Sequence, residues 1–323
     1  MRPVRRRARS AAGLHALVTG AGSGIGRALA LRLAAHGAVL HLTDLHADDL
    51  AATAALVEQQ AGPGRTGVVL PADVTSLDEV RALADAVHAE VAAVDLVANV
   101  AGIATWGRVE HLTHEHWRDV LEVDLVGPIH VIESFVPAMI AAGRRGHLVN
   151  VSSAAGLIGL PWHAPYSAAK FGVRGISEVL RFDLARHGIA VTLVCPGAVD
   201  TPIAGSVTVA GVDTASAGFQ QLRARFQRSA VSPETAAERI VAGTLARRYL
   251  VFTSPDTRAI HAVQRYLPPV YALAMDRVSR AVERSARSWT WARRGCGRAG
   301  SARSVSWPGC SPGPGGAWPG PRR

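Results

Sequence analysis

Two residues stand at a spacing suited to moving a proton. In "APYSAAKFG" (residues 164–172), Tyr166 and Lys170 are four apart, which puts them one turn apart on the same face of a helix. Lys170 is the single lysine of a chain with 34 arginines. A phenol with an unperturbed pKa of about 10 is a poor base near neutrality. A fixed ammonium beside it stabilises the phenolate and is expected to draw that pKa down toward the operating pH. Arginine would carry the charge on a planar fork that effectively never deprotonates, whereas the lysine ammonium is compact and able to join a proton relay. The chemistry expected of the pair is proton delivery to, or removal from, an alcohol oxygen.

A second stretch, "LVTGAGSGIGRALA", has the makings of an anion-binding loop. Gly20, Gly24 and Gly26 are spaced for a tight turn that lets backbone approach a pyrophosphate at a helix N-terminus. Free amides and the helix dipole favour the anion there. An apolar run before the glycines and a helical pattern after them supply the required context. Asp44 ends the next apolar run, in "HLTDLH". A carboxylate at that point accepts from both ribose hydroxyls of NAD and repels the 2′-phosphate of NADP. Leu45 follows it, so no adjacent cation offsets the repulsion, although Arg27 and His46 are near in sequence. NAD is the expected cofactor and NADP the alternative. The plainer reading of Asp44 is a cap for the helix that follows.

These groups need a scaffold, and the body alternates apolar β runs with helical patterns. "LHALVTG", "AVLHLTD", "TGVVLPAD", "VDLVANVAG", "GHLVNVSS", "IAVTLVCPG" and "YLVFTS" read as seven strands. Helices are expected from Gly24 to Gly37 and over 46–60, 76–90, 113–142, 163–187 and 233–247. The alternation predicts an α/β fold, a parallel sheet with helices on both faces and right-handed crossovers. Residues 201–230 are long for a connection and are expected to be a lid or disordered. The domain reading is a basic arm over 1–12, a body over 13–254, a helical extension over 255–286 broken at Pro268 and Pro269, and a Gly/Pro/Arg-rich tail over 287–323. The tail has the composition of a disordered segment, or of an accidental GC-rich reading frame.

The motifs "TGAGSGIG", "ADVT", "NVAG", "NVSS", "YSAAK" and "CPGAVDTP" occur in an order and spacing that resemble the short-chain dehydrogenase/reductases, over about residues 14–253. The resemblance implies a Rossmann-type doubly wound sheet, a nicotinamide cofactor and a catalytic group of Ser153, Tyr166 and Lys170. It also implies cofactor contacts from Ser23, Ile25, Asp73, Val74, Asn99, Ala101, Gly102, Pro196, Gly197, Val199 and Thr201, besides the three glycines, Asp44, Tyr166 and Lys170. Ser152 competes with Ser153 for the role of holding the substrate oxygen. Two positions depart from the family pattern. Asp124 stands where members often carry an asparagine whose backbone carbonyl relays to a water near the lysine, so the relay is expected to survive while the carboxylate alters the lysine. Val100 replaces the second asparagine of the "NVAG" motif, with local repacking expected.

Charge and composition narrow the remaining functions. The net charge of +10 is carried by the ends: five arginines in residues 1–10 and seven in 287–323, with no acids in either, leave the body about −2. Nucleic-acid binding is therefore not expected. Cysteines at 195, 296 and 310 form no disulfide framework, which fits a reducing, cytoplasmic setting. No run is long and apolar enough to read as a spanning helix. His111, His114 and His116 surround a helix start capped by Thr113, and no metal site is expected. Trp106 and Trp162 read either as packing or as substrate contacts. The 255–286 helices read as a cap over an apolar substrate mouth, or as a peripheral membrane or oligomer contact. The function expected is interconversion of a secondary alcohol and a ketone or aldehyde, on a small and lipophilic substrate. The family implies a homodimer or homotetramer. A cofactor-sensing protein, or a dehydratase or epimerase on the same fold, is the alternative.

Overall fold

The computed structural model describes residues 10–201, 207–212, 214, 216–228 and 230–286. The arginines before residue 10 and the tail over 287–323 lie outside the described residues. The sheet comprises β1 (His15–Thr19), β2 (Val39–Thr43), β3 (Thr66–Val69), β4 (Leu96–Asn99), β6 (Gly146–Val151), β7 (Ile189–Cys195) and β9 (Leu250–Phe252). All pair in parallel, in the order β3-β2-β1-β4-β6-β7-β9. This is the Rossmann-type sheet that the alternating pattern predicts. Helices α1 (Gly24–Ala35), α2 (Ala47–Ala61), α3 (Leu77–Glu90), α4 (His114–Leu121), α5 (Gly127–Ala141) and α6 (Ala164–Asp183) pack on it. They are followed by α7 (Ala217–Arg228), α8 (Pro233–Leu245), α9 (Pro255–Tyr266) and α10 (Pro268–Ala286).

Parallel sheets need cover on both faces, and the strand period provides it. In β1, Ala16 and Val18 pack with Leu29 and Leu33 of α1 and Leu50 of α2, while Leu17 between them packs with Leu83 of α3 and Phe135 of α5. Each of these fully buried leucines contributes roughly 2 kcal/mol relative to exposure. The strand order reverses between β1 and β4, so the loops leaving their C-terminal ends face each other across a crevice, the usual ligand position in such sheets.

Three departures from the expected elements bear on that crevice. The helix expected over 113–142 is interrupted: Glu122–Val126 forms a π turn in which Gly127 N–H donates to Glu122 O, and Asp124 lies in the widened turn. The same stretch, His114–Ala141, is long and apolar enough by composition to cross a membrane, yet Val131, Phe135 and Met139 are buried against the sheet. The 201–230 connection contains structure: β8 (Thr208–Ala210) pairs in parallel with a short β5 (Thr105–Gly107), and α7 follows.

A histidine pair joins β1 to β2, with His41 buried and His15 half-buried. His15 Nδ1 lies 3.1 Å from His41 Nε2, and His41 Nδ1 accepts from Val68 N at 3.1 Å. Burial, with His15 and His88 adding to it, pushes His41 down from 6.5 to about 4. A histidine held below its unfolded value contributes stability that is complete above pH 6.5 and lost as the pH falls toward 4. We expect the wild-type melting temperature to decline across that window, with His41→Asn removing up to roughly 3 kcal/mol of the pH dependence. Parallel slopes in the two proteins, measured by calorimetry, would remove His41 as the cause.

Candidate active site

The glycine loop after β1 is built for close backbone approach. Gly20 has φ +64°, and a Cβ on it would stand 2.7 Å from Ala101 Cα; a Cβ on Gly26 would stand 1.9 Å from Gly20 O. Neither position admits a side chain. Ser23 N-caps α1 without a side-chain hydrogen bond, and no acid occupies its first turn. The amides at Ser23, Gly24 and Ile25 thus open a positive helix end, a fit for a pyrophosphate. Asp44 reaches back to this loop from the end of β2: Oδ2 accepts from Gly22 N at 2.8 Å and Oδ1 from His46 N at 3.0 Å. Arg27 is tied down, donating to Gly22 O, to Thr53 Oγ1 at 2.9 Å and to Asp49 Oδ1 at 3.4 Å.

Register brings the other strand ends beside it. Asp73 follows β3 and its Oδ1 accepts from the amide and hydroxyl of Thr75, at 2.9 and 2.8 Å. Val74 is buried against Gly127. Asn99, buried at the end of β4, donates to Asn150 Oδ1 at 2.9 Å, and Asn150 donates to Ser177 Oγ at 2.9 Å, so one chain of amides ties β4 to β6 and α6. Thr19 Oγ1 accepts from Val100 N and Ala101 N at 3.0 and 3.2 Å, which fixes the turn leading to Gly102. Val100 itself packs on the core. Pro196 O accepts from Ala154 N at 2.7 Å beyond β7, and Gly197 sits against Thr257. Val199 bridges to Val231, and Thr201 is half-buried at the edge of a segment outside the described residues.

Four side chains converge between β6, the π turn and α6. Lys170, 4% exposed, ion-pairs with Asp124 Oδ2 at 3.1 Å and donates to Val151 O at 3.3 Å. The other Asp124 oxygen accepts from Ile103 N at 2.7 Å, and Asp124 is completely buried. Burial alone would depress Lys170, but Asp124 and Tyr166 outweigh it and hold the ammonium above its ordinary value. The Lys170 Nζ lies 5.5 Å from the centre of the Tyr166 ring, and the Ser153 hydroxyl acts on the Tyr166 phenol, favouring its ionised form. Ser153 Oγ also accepts from Ala155 N at 3.1 Å, whereas Ser152 is buried with its hydroxyl donated to Lys170 O at 2.8 Å.

The expected lowering of the tyrosine is not the net result. Burial pushes the Tyr166 phenol above its ordinary value; Lys170 and Ser153 pull it down, while the Asp124 carboxylate pushes it further up. Counting the ammonium alone misses that a buried carboxylate sits 3.1 Å from it and cancels much of its field.

Comparison with known proteins agrees with this arrangement. Residues 14–210 match the model of the short chain dehydrogenase family. The chain belongs to that family. The chain is 39% identical over 264 residues to SadH of Mycobacterium tuberculosis, covering 80% of this chain and 92% of that one. It is 39% identical over 191 residues to the trans-4-hydroxycyclohexanecarboxylate dehydrogenase of Sinomonas cyclohexanicum, covering 58% and 73%. Among solved structures, a short chain dehydrogenase/reductase from Burkholderia phymatum in complex with NAD superposes with a TM-score of 0.72 at 28% identity, covering 80% of this chain and 94% of that one.

Near the N-terminus of α6, aromatic and aliphatic groups gather. Trp106 of β5 stacks on His163, the residue capping α6, with ring centres 4.4 Å apart. Trp162, in the left-handed region at φ +67°, accepts from Gly107 N at 2.8 Å through its carbonyl. Both tryptophans pack with Val207, Val209, Val212 and Phe219, so β8 and α7 form a wall. Burial pushes His163 down to about 4, leaving it neutral beside the catalytic helix. Tyr271 of α10 hydrogen-bonds both ends of Gly159, accepting from its N at 2.8 Å and donating to its O at 3.3 Å. Sequence reading missed Thr19, Asn150 and Tyr271. Thr19 had one available signal, its position directly before Gly20.

Proposed function

We propose that this oxidoreductase interconverts a secondary alcohol and a ketone or aldehyde, with NAD preferred over NADP and Tyr166 moving the hydroxyl proton. The observation that carries it is the cluster of Ser153, Tyr166, Lys170 and Asp124 behind Gly102, beside a glycine loop whose free amides open the helix end. A bound nicotinamide would supply or accept the hydride. The rest falls to the chain's own groups. Ser153 holds the substrate oxygen and keeps it in reach of Tyr166. Tyr166 gives its proton to an alkoxide developing in reduction, or takes one from the alcohol in oxidation. Lys170 favours the phenolate and carries donors toward the ribose side. Asp124 keeps Lys170 charged and oriented.

The wall of Val207, Val209, Val212, Phe219, Trp106 and Trp162 supports a lipophilic substrate. Phe171, Val179 and Phe182, exposed along one side of α6, support self-association through the long helices.

Cofactor choice rests on Asp44, whose carboxylate faces the loop while Arg27 is engaged elsewhere. Fluorescence titration of NADH and NADPH against wild type and Asp44→Ala tests it. NADH is expected to bind at least about tenfold more tightly to wild type, with that preference lost in the variant. Preference for NADPH in wild type would overturn the assignment, and binding of neither would overturn the redox reading itself.

A further inference from the structure

Away from the crevice, a cavity of about 290 Å³ lies between α6, the strands β7 and β9, and α9. It shares no residue with the active site, and Leu157 on its wall belongs to the segment joining Ser153 to Tyr166. Its lining is strongly cationic. Arg174 and Arg181 come from α6 and Arg265 from α9, against one carboxylate, Glu178. Glu178 is already engaged, ion-paired with Arg181 at 3.0 Å and accepting from Tyr249 Oη at 2.7 Å. Among the described residues, neither Arg174 nor Arg265 has a carboxylate within ion-pair distance. Arg174 makes one long hydrogen bond, to Gly156 O at 3.5 Å, and lies over the Phe171 ring at 5.9 Å, as Arg265 lies over Tyr266 at 5.9 Å.

Two further donors are left over on the same lining. Arg181 Nε and His261 Nδ1 are buried and lack any hydrogen-bond partner. Burial, with Arg174 and Arg265 beside it, pushes His261 below its ordinary value, so the ring is neutral and its nitrogens are free to bond rather than to add charge. Like charges gathered around a cavity with unused donors are costly until an anion fills it. Guanidinium groups match the oxygens of phosphate in two-point geometry.

We propose that this cavity binds a small polyvalent oxyanion, phosphate or a phosphate monoester, held by Arg174, Arg181 and Arg265. The volume is at the low end for ligand pockets and excludes a dinucleotide. The site is therefore distinct from the cofactor crevice in chemistry as well as in place.

Calorimetric titration of the full chain with inorganic phosphate, at constant ionic strength set with sodium chloride, tests the proposal. Wild type is expected to bind phosphate, and Arg174→Met with Arg265→Met to weaken it by at least about tenfold. NADH affinity should be the same in both proteins. Phosphate resting on the glycine loop would be unaffected by these substitutions, so equal phosphate affinity in the two proteins overturns the site. Heat no larger than that of the matched chloride titration overturns it as well. Should the double variant misfold, Arg265→Met alone, on the exposed side of α9, gives the reading: at least about threefold weaker binding supports the site, and unchanged binding overturns it.

Discussion

Tyr166→Phe is expected to lower kcat by roughly 10²–10⁴-fold, the usual contribution of a positioned acid or base. The variant should bind NADH and melt as wild type does. The substitution removes one hydroxyl and leaves the ring, which stands over the Lys170 ammonium at 5.5 Å, in place. Steady-state rates with secondary alcohols and their ketones, read beside a NADH titration, separate chemistry from binding. A loss under about tenfold would mean that the proton travels through another group. The raised phenol also sets a direction. A tyrosine above its ordinary value is protonated at neutral pH, so ketone reduction should proceed there, while alcohol oxidation should rise as the pH climbs toward the phenol's titration.

What was legible from residue order, and what was not, divides by distance along the chain. The Gly20–Gly26 turn and the Tyr166–Lys170 pair are local: their geometry follows from a turn that no Cβ can enter and from one helical repeat. The seven-stranded sheet was legible because its central strands are buried on both faces and are largely apolar along their length. The β5–β8 pairing was not. Thr105–Gly107 and Thr208–Ala210 are three residues each, too short to show a period, and they meet only after the sheet has folded. The charge state of the site was hidden for the same reason. Asp124 and Lys170 lie on different helices, and nothing in "HWRDVLEVDLVG" announces that the turn widens at Asp124 and delivers its carboxylate to the ammonium. Arg174 and Arg265 likewise stand on separate helices far apart in the chain, and one cavity joins them.

The Asp124–Lys170 pair carries the second large effect, on stability and on pH together. Asp124→Ala leaves a 4% exposed ammonium without its counter-charge and Ile103 N without its acceptor. Breaking a buried pair in this way costs about 3–5 kcal/mol. Adding Lys170→Met should recover much of that loss without recovering turnover, because an apolar side chain needs no partner. Asp124→Asn separates charge from hydrogen bonding: the amide oxygen can still accept from Ile103 N, so the variant should lose less stability than Asp124→Ala, although the buried ammonium still loses its counter-charge. The phenol is then freed of a nearby negative charge, which favours the phenolate, and this is expected to outweigh the support that Lys170 loses for its own charge. The alkaline rise of alcohol oxidation should consequently move to lower pH. A melting temperature for Asp124→Ala equal to wild type would show that the pair does not brace the fold. A pH profile unmoved in Asp124→Asn would show that the carboxylate does not reach the tyrosine. Movement of the profile with the fold intact would instead assign Asp124 a use in tuning the proton donor, one that an asparagine at this position cannot supply.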